Sequence, residues 1–120
     1  MKSIVAEKAF RFAIKIVTTY QKISTERKEF VLTKQLLRSG TSIGANCQEA
    51  TQASSKRDFV YKFAISLKEA QETHYWLRLM KETGYLENED FQHLEKDCIE
   101  IIKMLTTSII TAKKSIENNK

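Results

Sequence analysis

Proline is absent from this 120-residue chain, and glycine occurs only three times. Proline punctuates turns, strand edges and long loops, so its absence points to long helices joined by few connections. Cysteine is scarce as well. Cys47 and Cys98 are too few for a disulfide-stapled scaffold, and no C-x-x-C spacing offers a zinc site. No window approaches the roughly 20 apolar residues that a membrane span requires. Met1-Lys2-Ser3-Ile4-Val5-Ala6-Glu7-Lys8 puts charges where a signal peptide needs its apolar stretch, so the expected location is cytoplasmic. With 42% apolar and 29% charged residues, the composition is that of a globular protein of one domain.

The charge is unevenly spread. The net value is +5. Residues 1–57 carry 11 Lys/Arg against 4 Asp/Glu, whereas residues 58–120 carry 9 against 11. Such asymmetry fits either an electrostatic contact between the two halves or a basic surface for an anionic partner.

Apolar periodicity predicts four helices, at about 4–23, 31–53, 56–83 and 89–116, in an all-α, antiparallel up-down-up-down bundle. On the first, Lys8, Arg11, Lys15 and Lys22 share an arc of about 60° at 3.6 residues per turn. Its apolar residues cover about 200°, twice the roughly 100° that one core contact needs. One part of that arc is expected to meet the bundle. The other, including Phe10, Ile14 and Val17, is expected to meet a neighbouring chain, because a monomer would expose a large apolar patch.

The second pattern aligns Leu32, Leu36, Ile43, Cys47 and Ala50 beside a row of small or polar residues, with Gly40 and Gly44 four apart. Each glycine costs roughly 1 kcal/mol of helix propensity against alanine, so close helix packing is the natural reason for them. Ser55 is a good N-cap for the third helix, Gly84 a C′ residue with Tyr85-Leu86 folding back, and Asn88 with Glu89 and Asp90 opens the fourth. The fourth helix has the cleanest stripe, Phe91 to Ile116, and places Cys98 among core residues.

The third helix spaces Ile65, Glu69, Glu72, Trp76 and Leu79 as a heptad-type seam, which sets two carboxylates in an apolar row. Buried there they need donors, and Arg38, Asn46, Lys62 and Lys68, with Glu49 alongside, make up an expected buried polar network. A di-iron bundle site would need two Glu-x-x-His motifs. Gln71 and Asp90 stand three before His74 and His93, so neither motif is present and no metal or cofactor is expected. Phosphate-binding glycine loops, a nucleophile elbow and a cysteine–histidine pairing are likewise missing from the sequence, which points away from an enzyme.

Gln35-Leu36-Leu37-Arg38-Ser39-Gly40-Thr41-Ser42-Ile43-Gly44-Ala45-Asn46, followed by Glu49-Ala50, resembles one signature block of the bacterial four-helix bundle proteins, the 23S rRNA intervening-sequence protein family. Phe63 to Thr73, then Tyr75-Trp76-Leu77 and Leu79-Met80 before Gly84-Tyr85-Leu86, resembles the second block. Gly44 stands where many relatives have proline, and Cys47 where isoleucine or valine is usual. The resemblance extends to the accessory proteins of diversity-generating retroelements, which work with a reverse transcriptase and nucleic acid. It implies a ring, commonly a pentamer, and no enzymatic activity. The reading that follows is a non-catalytic oligomeric scaffold that binds RNA or DNA through Lys8, Arg11, Lys15 and Lys22; the alternative is an adaptor for an acidic protein partner.

Overall fold

The computed structural model describes residues 3–119. Four helices follow one another: α1 Ile4–Arg27, α2 Leu32–Ala50, α3 Lys56–Glu82 and α4 Asn88–Asn118. Each packs against its sequence neighbours, and α4 closes back on α1, which gives an antiparallel up-and-down four-helix bundle of 54 × 21 × 21 Å. α1 and α4 make the loosest of the four contacts.

Local chemistry sets the ends of the helices. Ser3 caps α1 by accepting the Ala6 N–H at 3.2 Å, and Ser55 caps α3 by accepting that of Asp58 at 3.0 Å. Gly84, at φ 84°, ends α3 in a left-handed turn in which Tyr85 and Leu86 both donate to the Met80 carbonyl. α1 runs a turn further than its apolar pattern, to Arg27, because Ser24 bonds back to the Tyr20 carbonyl and the chain reverses only at Lys28, at φ 51°. α2 stops at Ala50, three residues earlier than expected.

The start of α2 carries a cap outside the usual serine or aspartate pattern. Val31 lends no side-chain cap; instead the Glu29 carboxylate accepts the N–H of Thr33 at 2.9 Å and that of Val31 at 3.2 Å. Burial pushes the Glu29 carboxyl upward, but the backbone donors of Thr33, Leu32 and Val31 outweigh it and hold the group below its ordinary 4.5. This contribution to stability is therefore present above about pH 4.5 and lost as pH falls through the lowered folded value. Glu29→Gln, followed by denaturant melts, is expected to cost about 1 kcal/mol at pH 7 and progressively less in acid.

The core is built on Phe12, Ile16, Leu36, Ile43, Phe63, Leu77, Met80, Ile101 and Leu105. Between α2 and α3 it is filled by small hydroxyl residues. Ser66 donates to the Ile43 carbonyl at 2.8 Å across the helix interface, and Thr73 donates to the Ser39 hydroxyl at 3.0 Å. These pairs let the two backbones approach while satisfying every hydroxyl they bury.

The two glycines of α2 differ in what they accommodate. A Cβ on Gly40 would lie 2.8 Å from Ile16 Cγ2, inside the core, whereas one on Gly44 would meet the Ala9 backbone at an ordinary 3.4 Å. Gly40→Ala is expected to destabilise by about 1–3 kcal/mol through overpacking. Gly44→Ala is expected to be neutral or to stabilise by up to about 1 kcal/mol through helix propensity, as read from chemical denaturation midpoints.

Candidate functional site

The four cations of α1 lie on the side that faces α4, as their shared arc requires, and three of them are engaged there. Lys8 pairs with Glu100 at 2.8 Å and with Asp97 at 3.8 Å, Lys15 with Asp97 at 2.7 Å, and Lys22 with Asp90 at 3.2 Å. Lysines seven apart on one helix thus meet aspartates seven apart on its antiparallel neighbour. Hydrogen bonding to Lys8 holds the Glu100 carboxyl below its ordinary value, and hydrogen bonding to Asp90 holds the Lys22 ammonium above its own. Arg11 is exposed and makes no ion pair among the described residues. The charge asymmetry of the sequence is met, over this stretch, by a contact between its two halves.

On the opposite flank of α1, Phe10, Ile14 and Val17 point to solvent, 62%, 53% and 37% exposed. Of the three, Phe10 lines a groove of about 650 Å³ between α1 and α2, with Ala6 and Ala13 on its own side and Thr41, Gly44 and Ala45 on the other. The core residues Val5, Ala9, Phe12, Ile16 and Ile23 occupy a separate arc of the same helix. The width of the apolar arc in α1 therefore resolves into a bundle face and a second, uncovered face.

Of the expected buried polar network, Arg38, Glu69 and Glu72 do come together, but at the edge of the bundle and not in its core, and the other members lie apart from them. Among the heptad rows along α3, the buried one is Phe63, Ser66, Ala70, Thr73, Leu77 and Met80, not the row containing Glu69 and Glu72. Both glutamates lie at the rim of the α2–α3 contact, where Arg38, half exposed, donates to Glu69 at 3.1 Å and also to Glu72. Hydrogen bonding to Glu72 holds the Arg38 guanidinium above its ordinary range. Lys62 pairs separately with the exposed Glu49 at 3.7 Å, Asn46 donates to the Ser42 carbonyl of its own helix at 2.8 Å, and Lys68 is exposed without an ion pair among the described residues. The buried polar residues are instead Thr33, Ser39, Ser66 and Thr73; Ser39 belongs to the row of small or polar residues beside the α2 stripe, whereas the other three do not stand out in the sequence, because small hydroxyl residues also suit a helix surface.

Both thiols are buried. Cys98 donates to the Ala70 carbonyl at 3.3 Å, and Cys47 lies 3.2 Å from the Ser66 hydroxyl. Burial, reinforced by Glu95 and Asp97, pushes the Cys98 thiol up to about 12, and burial raises that of Cys47 as well. Neither forms a thiolate at neutral pH. Alkylation by iodoacetamide at pH 7.5 is expected to leave both unmodified in the folded protein and to modify both in denaturant, as counted by mass spectrometry. Among the described residues, no three His, Cys, Asp or Glu side chains come together as a metal-binding group. No helix formed by these residues is long and apolar enough to cross a membrane.

These features define a class before they define a family: an all-α four-helix bundle whose distinctive surfaces are helix faces. The model of the 23S rRNA-intervening sequence proteins matches residues 1–107, and the chain belongs to that family. Among solved structures, a protein of unknown function from the S23 ribosomal protein family of Bacteroides thetaiotaomicron is similar at 49% identity and a TM-score of 0.87, over 88% of this chain and 98% of that one. The comparison with curated proteins finds no match.

Proposed function

We propose that this protein is a non-catalytic scaffold that assembles with copies of itself into a ring, the outer face of α1 forming the contact between subunits. The observation that carries this reading is the row of Phe10, Ile14 and Val17, solvent-facing beside the α1–α2 groove while the other apolar flank of the same helix fills the core. The apolar row offers a ridge, and the groove that begins at its Phe10 end, lined by Ala6, Ala13, Gly44 and Ala45 together with Glu7 and Gln48, offers a recess beside it. When the ridge of one subunit enters the recess of the next, the contact is head-to-tail, and it closes into a ring if the rotation permits. Five subunits is the number the family resemblance implies.

A role for this scaffold in holding RNA or DNA draws support from the cations of α1, on a condition set by their ion pairs. Phosphates drawn to Lys8, Lys15 and Lys22 must compete with Asp97, Glu100 and Asp90. An acidic protein partner faces the same competition. Charge reversal at Lys8, Arg11 and Lys15 separates the possibilities in a titration against RNA and DNA at several salt concentrations. Reduced affinity and a shallower salt slope support the α1 face as the nucleic-acid contact. An unchanged slope rules it out.

A further inference from the structure

The outer face of α3 repeats as a heptad of its own, distinct from the buried row and from the Glu69/Glu72 row. Arg57, Tyr61, Ala64, Lys68, Gln71, Tyr75 and Arg78 follow one another at intervals of four and three, and all seven are exposed. The row extends about 31 Å at 1.5 Å per residue. Its three cations make no ion pair among the described residues, in contrast to the lysines of α1. The carboxylates nearest to it along the helix are occupied: Glu69 and Glu72 by Arg38, and Glu82, beyond the end of the row, by Lys81. Asp58 lies half-buried at the first turn. Between the cations stand two tyrosine rings, 63% and 55% exposed, and that of Tyr75 is buttressed edge-on by Trp76 at 5.1 Å.

We infer that this face of α3 is a binding strip for single-stranded nucleic acid, in which Arg57, Lys68 and Arg78 take phosphates and Tyr61 and Tyr75 take bases. Free cations in a line match a polyanion. Solvent-exposed rings interleaved with them match an unstacked base, whose π-face a duplex keeps covered. The row contains no leucine, isoleucine, phenylalanine or tryptophan, so it lacks the apolar wedge that a lipid surface would need. The inference is independent of assembly through α1, whose apolar face lies on a different helix.

The test is fluorescence anisotropy of a labelled oligouridylate, its deoxythymidylate counterpart and a duplex of equal length, with light scattering run on every variant. The unmodified protein is expected to bind both single strands in preference to the duplex. Tyr61→Ala and Tyr75→Ala are each expected to weaken single-strand binding roughly 5- to 150-fold without changing the subunit number. The triple variant Arg57→Gln, Lys68→Gln, Arg78→Gln is expected to lower the salt slope by about 2, at roughly 0.7 per phosphate contact. Absence of single-strand binding at low salt, equal affinity for the duplex, or tyrosine variants that bind normally would each overturn the assignment. So would tyrosine variants that change the subunit number, since the strip would then be a contact between copies.

Discussion

Glutamate in place of both Ile14 and Val17 is expected to reduce the particle to the mass of one 13.9 kDa chain while leaving its helical circular dichroism largely intact. Both side chains stand outside the core, 53% and 37% exposed, so the bundle loses only their partial contacts there. In an assembly they are covered. Fully burying a side chain of this size contributes about 1.5–3 kcal/mol, and because Ile14 and Val17 have only 53% and 37% of their surface left to cover, the two together contribute about that much for each contact. The substitution removes that gain and places carboxylates in an apolar interface, where an unpaired charge costs several kcal/mol more. At micromolar protein the balance shifts wholly toward separate chains. Sedimentation velocity and light scattering read the change, and the circular dichroism spectrum shows that the fold survives.

Two phenylalanines separated by one residue should behave in opposite ways. Phe12 is 1% exposed and Phe10 62% exposed, on different sides of α1. Phe12→Ala is expected to cost about 3–5 kcal/mol, from lost transfer free energy and the cavity left behind. Against a typical domain stability of 5–15 kcal/mol, such a loss lowers the unfolding midpoint sharply and risks unfolding at physiological temperature. Phe10→Ala is expected to leave the stability of the separate subunit within about 0.5 kcal/mol, as for other exposed positions. Its effect is expected to fall on association instead. Urea melts and concentration-dependent light scattering on the two variants distinguish a core residue from an interface residue.

The four helices were legible because each carries a stripe long enough to define its period, and because Ser55 and Gly84 sit where a cap and a left-handed turn require them. The double character of α1 was also legible, since an apolar arc of about 200° exceeds any single contact. The choice between rows on α3 was not. More than one apolar heptad runs along that helix, and although the buried one has Phe63, Leu77 and Met80 at its ends, its middle residues, Ser66, Ala70 and Thr73, look less like a core than Ile65, Trp76 and Leu79 do. The smaller row is the buried one because α2 approaches closely, and closeness is a property of the pair of helices, with Ser39 and Gly40 supplying the other half.

The state of the basic row likewise depended on a partner helix. Lys8, Lys15 and Lys22 recur every seven residues, and so do Asp90 and Asp97. In an antiparallel pair these two series run into register, which is what Lys8 and Lys15 on Asp97 and Lys22 on Asp90 record. Read one helix at a time, the lysines are a free cationic surface. Read with α4, they are a clamp on the loosest seam of the bundle. The alternation of Tyr61 and Tyr75 with Arg57, Lys68 and Arg78 makes no stacking motif that stands out in the sequence; it emerges only once the burial of the neighbouring row shows that these side chains face solvent.

The mass of the unmodified protein in solution bears most directly on the scaffold. Multi-angle light scattering across a size-exclusion peak at micromolar concentration is expected to return a multiple of 13.9 kDa, with five chains the number the family resemblance implies. A peak of 13.9 kDa that persists as the concentration is raised would contradict assembly through α1.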